Sequence, residues 1–142
     1  MYKSILLPID IGHPSSWKKA LPMALDLAKN HNAELHVLNV VPNFGMSIVG
    51  GFFPEGFEKT AIENAKEALA KCLAENIPNG ASSKGHVALG NIYEEIINAA
   101  NKLGCDLIIM AAHRPELKDY LLGPNAARVV RHAAQSVMVV RD

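Results

Sequence analysis

Short apolar runs alternate with amphipathic segments along the whole chain. Five of these runs predict β-strands, because they are bounded by polar residues, Gly or Pro and are too short for helices. Runs such as Leu107–Met110, which are apolar at every position, are typical of strands covered on both faces and favour a parallel sheet. The predicted strands span Tyr2–Ile9, Leu35–Val41, Gly85–Leu89, Asp106–Met110 and Ser136–Val140.

Four amphipathic helices are predicted between these strands. Ser15 or Ser16 is a candidate N-cap of the first helix. Pro22 lacks an N–H inside that helix, so we expect either a kink or a later start. The predicted helices span about Ser16–Asn30, Phe57–Asn76, Ile92–Leu103 and Asn125–His132. The predicted buried face of the second helix consists of Ala61, Ala65, Ala68, Cys72 and Leu73.

The element order βαβαβαβαβ predicts an α/β fold, with a single doubly wound, five-stranded parallel sheet flanked by four helices. A chain of 142 residues is long enough to bury one core, so we expect one domain over residues 1–142. Ligands of such sheets bind beyond the carboxyl ends of the strands, where the strand order reverses. Asp10 and the segment Ala111–Gly123 follow predicted strands and are expected to meet in that cleft.

The segment after the fourth predicted strand has features of a phosphate-binding loop. It is polar, and it ends at Gly123, close to the start of the last predicted helix. Free backbone N–H groups and the helix dipole favour an anion at such a place. An ordinary βα turn is the alternative, and the loop alone does not decide between them. The basic residues nearby are His113, Arg114, Lys118 and Arg128.

Composition narrows the class of protein. The formal net charge is zero, which argues against a nucleic-acid-binding surface, and the 49% of hydrophobic residues argue against disorder. Cys72 and Cys105 form no motif and are expected to be reduced thiols. No apolar run approaches transmembrane length, and the N-terminal run is too short for a signal peptide. We therefore expect a soluble, cytoplasmic protein without a membrane or nucleic-acid partner.

The segment Pro42–Gly56 is the one long irregular stretch, and it is rich in Gly and Phe. Long loops of this kind are typically functional or mobile. It is either a flap packed on its own domain, or a lid over the cleft or a contact with a neighbouring subunit. 

Catalytic chemistry finds little support in the sequence. It contains no Ser–His–Asp order, no metal-ligand spacing and no Walker lysine. The pair Glu94–Glu95, in the first turn of the third helix, is expected to stabilise the helix dipole. His36 and His132 are expected to be structural, and His13 lies in the first loop near the cleft mouth.

Several of these segments, taken together, resemble the universal stress protein family. The resemblance covers essentially the whole chain, and the spelling Ala112–Pro115 with Tyr120–Ala126 is similar to the small type F and G branch. It implies an adenine-nucleotide-binding, α-hydrolase-like fold with strand order 3-2-1-4-5. The segments that carry the resemblance are Ile5–Asp10, Leu35–Val41, Asp106–Met110, Leu121–Gly123, Val129–His132 and Ser136–Arg141.

The resemblance also implies a nucleotide site at the carboxyl ends of the strands. Asp10 would lie against the nucleoside, although a turn aspartate is the alternative. Val40 would face adenine through its backbone or be plain core, and His113 would contact phosphate or be solvated. ATP or another adenine nucleotide, with Mg²⁺ as a further candidate, is the implied ligand. The implied site residues are Pro8, Ile9, Asp10, Val40, Met110, Ala111, His113, Arg114, Gly123, Pro124, Asn125 and Ala126.

The chain departs from the family motif Gly-x2-Gly-x9-Gly-Ser/Thr. Ala111 and Arg114 stand at the first two glycines, and the spacing to Gly123 is one residue short. Arg114 cannot copy the close backbone approach of glycine, but it brings a cation suited to phosphate. Pro124 replaces the hydroxyl residue yet suits the first turn of a helix. The site is therefore altered, and a nucleotide-free, chaperone-like oligomer is the alternative.

Assembly is the last expectation. In the order 3-2-1-4-5 the strand Ser136–Arg141 lies at the sheet edge, and its apolar residues invite pairing with another chain. The resemblance implies a homodimer through this strand, and two dimers would form a tetramer through the apolar loop Phe44–Phe53. Enzymatic activity beyond slow ATP hydrolysis is not expected. 

Overall fold

Five parallel strands form one sheet in the computed structural model, which describes residues 1–42, 56–112 and 123–141. The strand order is β3-β2-β1-β4-β5, and every neighbouring pair is parallel. The predicted fold class and the strand order implied by the resemblance are both confirmed. The strands are β1 (Ser4–Ile9), β2 (Glu34–Pro42), β3 (Lys84–Gly90), β4 (Leu107–Ala112) and β5 (Ser136–Arg141).

Four α-helices cover the sheet in the described residues. Right-handed crossovers place α1 and α2 on one face and α3 and α4 on the other. Consistent with this, a Cβ added at Gly85 of β3 would lie 3.1 Å from Leu69 of α2. The helices are α1 (Ala20–His31), α2 (Phe57–Asn76), α3 (Ile92–Lys102) and α4 (Gly123–His132), and a short 3-10 helix spans Pro14–Ser16.

The core lies on both faces of the central strands. Every residue of β1 is buried, and Leu107–Ala111 of β4 are buried as well, as expected for strands covered on both sides. Each fully buried Leu or Ile side chain contributes about 1.5–3 kcal/mol relative to an exposed one. Residues of the helices with no exposed surface complete the core, namely Ala20, Ala24, Ile96, Ala100 and Val129.

The first helix begins later than its pattern suggested. It starts at Ala20 with Lys19 at the N-cap, and no side chain caps it, so the cap predicted at Ser15 or Ser16 is wrong. Pro22 is the third helical residue, where the N–H has no intrahelical partner in any helix, so no hydrogen bond is lost. The expectation of a later start is confirmed.

The other boundaries need smaller corrections. The helix α4 begins at Gly123, two residues before the predicted Asn125, and α3 ends one residue early at Lys102. Gly104 follows α3 with a φ of 68°, the left-handed conformation expected of a terminating glycine. Ala68 was placed wrongly on the buried face of α2, because it is exposed and Leu69 is buried.

Two segments of the chain lie outside the described residues. They are residues 43–55, which make up most of the Gly-rich stretch, and residues 113–122, the candidate phosphate-binding loop. Within the described part of the chain, no helix is long and apolar enough to cross a membrane.

Candidate functional site

The loop that follows β1 is closed by a buried serine. Ser16 has no exposed surface, and its hydroxyl both donates to the backbone O of Asp10 at 2.9 Å and accepts from the backbone N–H of Asp10 at 2.8 Å. The backbone N–H of His13 also donates to the Asp10 carbonyl, at 3.0 Å. These bonds explain why Ser16 does not cap α1, and they fix the backbone where β1 ends.

The carboxylate of Asp10 is the central polar group of this loop. Its Oδ1 accepts the backbone N–H of Gly12 at 3.1 Å, and its Oδ2 lies 2.8 Å from Nδ1 of His13. The Asp10 side chain is 12% exposed, so the carboxylate remains accessible at one side. Asp10 therefore does act as a turn aspartate, as the alternative interpretation expected. Its two hydrogen bonds still leave lone pairs of the carboxylate for a ligand.

The second strand contributes a buried amide beside this loop. Asn39 of β2 is 9% exposed, and its Oδ1 accepts the backbone N–H of Ile11 at 3.4 Å. Asn39 pairs in register with Ile9, so it sits level with the end of β1. The side chains of Ile9 and Val40 are buried in the core, which limits Val40 to a backbone contact with any ligand.

The end of β4 lies next to the end of β1 at the same edge of the sheet. The strands β1 and β4 pair directly, with Ile5 opposite Leu107 and Leu6 opposite Ile108. Met110 and Ala111 are buried, and Ala112 is half-buried. Met110 has no exposed surface and Ala111 is 5% exposed, so both predicted site residues are part of the core.

The start of α4 lies at the same edge of the sheet as the ends of β1 and β4. Pro124 is exposed, Asn125 is half-buried and Ala126 is buried. Because Pro124 is the second helical residue, it costs the helix no hydrogen bond. The first turn of α4 contains no acidic residue, whereas its last turn has Arg131 and His132. Within the helix itself, this charge distribution favours an anion at the N-terminus.

Each predicted site residue can now be located. Pro8, Ile9 and Asp10 lie at the end of β1 and immediately after it, whereas Gly123 to Ala126 form the first turn of α4. His113 and Arg114 lie outside the described residues. The sequence reasoning missed Ser16 and Asn39, and it gave His13 little attention. The spacing of Asp10 and His13, three residues apart in a turn, was the available signal.

Metal-ion chemistry gains no support from the described residues. They contain no group of three His, Cys, Asp or Glu side chains that could hold a metal ion. Both cysteines are free and buried, as expected for reduced thiols. Burial raises the pKa of the Cys72 thiol and of the Cys105 thiol, so neither is set up as a reactive thiolate.

A second polar cluster lies near the opposite, amino edge of the sheet. His36 of β2 is buried, and its Nδ1 lies 2.9 Å from Nε2 of His86 on β3. The expected structural role of His36 is supported by this contact. Nε2 of His36 is buried without a hydrogen-bond partner, since Oε2 of Glu34 is 3.6 Å away.

An open cavity of about 1000 Å³ also lies at the amino edge. It is bounded by the end of α2, the segment 77–83 and the start of β3, including Leu69, Leu73 and Gly85. None of the residues that follow β1 or β4 lines it. We place the candidate ligand site at the carboxyl edge because the acid, the helix N-terminus and the reversal of strand order coincide there.

This combination of features defines an α/β protein with a doubly wound parallel sheet and a candidate ligand site at its topological switch point. Residues 1–141 match the family model described as "Universal stress protein family". The chain therefore belongs to the universal stress protein family, and the predicted membership is confirmed.

Known relatives match the chain over nearly its whole length. Universal stress protein G of Shigella flexneri is 31% identical over 143 residues, which cover 99% of this chain and 100% of that protein. This similarity supports the expected relationship to the G-type branch. 

Solved structures confirm the fold. The universal stress protein from Archaeoglobus fulgidus in complex with dAMP has a TM-score of 0.69 at 18% identity, with 97% of each chain covered. A universal stress protein in complex with cAMP has a TM-score of 0.60 at 22% identity, with 99% of this chain and 97% of that chain covered.

Proposed function

We propose that this protein binds an adenine nucleotide in the cleft beyond the carboxyl ends of β1 and β4. The observation that carries the proposal is the convergence of three features at that edge. Asp10 follows β1, Ala112 ends β4, and the first turn of α4, which contains no acidic residue, begins at the same edge of the sheet. A carboxylate beside a helix N-terminus suits a ligand with nucleoside donors at one end and an anion at the other.

The class of ligand is inferred from relatives of the same fold. One structural neighbour is in complex with dAMP and another with cAMP, and both ligands are adenine nucleotides. We extend this class to ATP or AMP for the present chain. Asp10 would receive donors of the nucleoside, and the backbone N–H groups of Asn125 and Ala126 would face phosphate.

His113 and Arg114 are assigned to the phosphate from sequence alone. Arg114 stands where nucleotide-binding members have a glycine, so it would compensate for the lost backbone approach with a charge-assisted hydrogen bond. Pro124 would shape the start of α4 without itself contacting phosphate through an N–H.

Mg²⁺ would enter with the triphosphate of ATP. Among the described residues at the carboxyl ends of β1 and β4, Asp10 supplies the carboxylate, and both of its oxygens already accept hydrogen bonds. Mg²⁺ is commonly bound by phosphates and water with one or two carboxylates. The residues present thus fit a metal ion held mainly by the nucleotide.

The cellular role would be a stress response in the cytoplasm, exerted through conformation or assembly. A homodimer through β5 would carry it, with a tetramer as a further step, and catalysis beyond slow ATP hydrolysis is not part of the proposal. The competing proposal is a nucleotide-free, chaperone-like oligomer, which the replacement of motif residues by Arg114 and Pro124 favours.

Ligand-induced stabilisation tests the proposal. A ligand that binds only the folded state stabilises it by about 2.7 kcal/mol at 100 times its Kd, so millimolar ATP or AMP should raise the melting temperature. Asp10→Ala and Arg114→Ala should each reduce that rise. Asp26→Ala, on the exposed side of α1, is the matched control and should keep it. No rise with ATP, ADP or AMP would favour the nucleotide-free alternative.

A further inference from the structure

The backbone and the carboxylate of Asp10 are held by different residues. Ser16 fixes the backbone, since its buried hydroxyl bonds both the N–H and the carbonyl of Asp10. These bonds leave the side-chain torsions of Asp10 unrestrained. The orientation of the carboxylate is set separately, by Gly12 and His13.

Among the described residues, the Gly12 backbone N–H and the His13 imidazole hold the carboxylate. A substitution can remove the second contact but not the first. The Gly12 contact uses a backbone N–H, which any residue at position 12 would supply. The His13 contact, Nδ1 to Oδ2 at 2.8 Å, depends on the imidazole itself. An ionised carboxylate only accepts hydrogen bonds, so Nδ1 of His13 must carry the proton and donate it.

We propose that His13 is a positioning residue of the nucleotide site, which holds the Asp10 carboxylate in the orientation that receives the nucleoside. This inference rests on the proposed function. The donated proton engages one lone pair of Oδ2 and prevents the carboxylate from rotating, and the remaining lone pairs face the donors of the ligand. A preorganised acceptor binds more tightly because its ordering has been completed before the ligand arrives.

The position of His13 suits this role better than a role in stability. Its side chain is 38% exposed and belongs to the loop, whereas the neighbouring Ser16 has no exposed surface. Replacing His13 should therefore change the unfolding midpoint little. Its effect should be on affinity, and it should act through Asp10 rather than on the ligand directly.

Isothermal titration calorimetry of AMP binding tests the proposal. The affinity is measured for four proteins that form a double-mutant cycle and for one rescue variant. The four are wild type, His13→Leu, Asp10→Ala and the double variant, and the rescue variant is His13→Asn. The Asn side-chain N–H stands the same number of bonds from Cα as Nδ1 of His, so it can donate to the same oxygen. Urea unfolding of each protein is measured in parallel.

The expected result is a loss of about fivefold to tenfold in affinity for His13→Leu, which corresponds to one hydrogen bond. His13→Asn should restore affinity to within about twofold, since its amide replaces the donor. In the Asp10→Ala background, His13→Leu should cause no further loss, because the group it positions is gone.

Three outcomes would overturn the inference, and they separate the positioning role from the proposed function. If the wild type binds AMP and His13→Leu binds equally well, or if its loss persists in the Asp10→Ala background, the positioning role is wrong and the proposed function stands. If the wild type binds neither AMP nor ATP, the proposed function fails and the positioning role fails with it.

Discussion

Asp106 joins the amino ends of β1 and β4. Its carboxylate accepts the backbone N–H of Lys3 at 3.0 Å and that of Ser4 at 3.1 Å, and its own N–H donates to the Ser4 carbonyl. Desolvation acts to raise the pKa of the Asp106 carboxyl, but hydrogen bonds from these backbone N–H groups outweigh it, and its pKa lies below the ordinary value. The ionised carboxylate therefore stabilises the strand pair.

Replacing Asp106 by Asn should destabilise the fold by about 1 kcal/mol at neutral pH, because charge-assisted bonds become neutral ones. A folded-state pKa below the unfolded one contributes stability that is present above about pH 4 and is lost as the pH falls through the folded pKa. The wild type should thus lose more stability on acidification than Asp106→Asn. Urea titrations at pH 7 and in the acid range measure both effects.

The matched control for this experiment is Asp26→Asn. Asp26 is exposed on α1 and accepts only the side-chain amide of Asn30, at 3.2 Å. Its replacement should change the free energy of unfolding by less than about 0.5 kcal/mol. Equal losses in the two variants would show that the Asp106 bonds do not stabilise the strand pair.

The edge strand β3 is attached to β2 through polar side chains as well as its backbone. His36 and His86 are diagonal neighbours across the pair, with ring centroids 5.0 Å apart. Lys84 of β3 also lies 2.9 Å from the carboxylate of Glu34 on β2. Burial lowers the pKa of His86, and electrostatic repulsion from His36 and Lys84 lowers it further.

Acidification should therefore loosen this edge. A histidine whose folded-state pKa is depressed takes up its proton more readily when unfolded, so stability is full above about pH 6.5 and falls as the pH drops towards the folded pKa. His86→Gln should lessen the loss of stability in this range. Chemical denaturation at a series of pH values measures the slope.

His132→Gln is the control for the histidine experiment. His132 is exposed at the end of α4, far along the chain from the β2–β3 pair. This variant should keep the pH slope of the wild type. If the stability of His86→Gln depended on pH as steeply as that of the wild type, protonation of the histidine pair would not be what weakens this edge of the sheet.

The other edge strand, β5, is where we expect two molecules to pair. β5 lies at the end of the strand order, and its apolar residues Val137, Met138 and Val139 are half-buried whereas Val140 is buried. A two-fold axis along this edge would make the contact self-complementary. Exposed edges of this kind favour pairing with another chain.

Val139→Lys should disrupt the dimer and yield monomer, because a charged side chain on an edge strand opposes pairing. Sedimentation at tens of micromolar measures the mass. Val130→Lys replaces a 52% exposed valine on α4 and should remain dimeric. A wild-type protein that sediments as a monomer would contradict the dimer.

The architecture could be derived from the sequence because apolar strands and amphipathic helices alternate along the chain. Every strand was predicted to within two residues at each end, and the fully apolar runs of β1 and β4 are buried on both faces. The local sequence pattern gave the wrong prediction for Ser16. Serine is a common N-cap residue, but the Ser16 hydroxyl hydrogen-bonds the backbone of Asp10 and does not cap α1.

The polar contacts could be derived only in part. Asp10 could be predicted as a site residue because it follows a strand at the switch point. The contact of His36 with His86 joins residues 50 positions apart and depends on strand register, which no local pattern encodes. The contact of His13 with Asp10 depends on the conformation of a turn, and turns have no periodicity to reveal it.

The central claim is that an adenine nucleotide binds at the carboxyl edge of the sheet. Titration of ¹⁵N-labelled protein with AMP and ATP to millimolar concentration, followed by amide NMR, tests it most directly. Amide signals of Asp10–Ser16, Ala111–Ala112 and Asn125–Ala126 should shift, whereas those of Lys84–His86 at the opposite edge should not. Absence of shifts, or shifts confined to the amino edge, would contradict the claim.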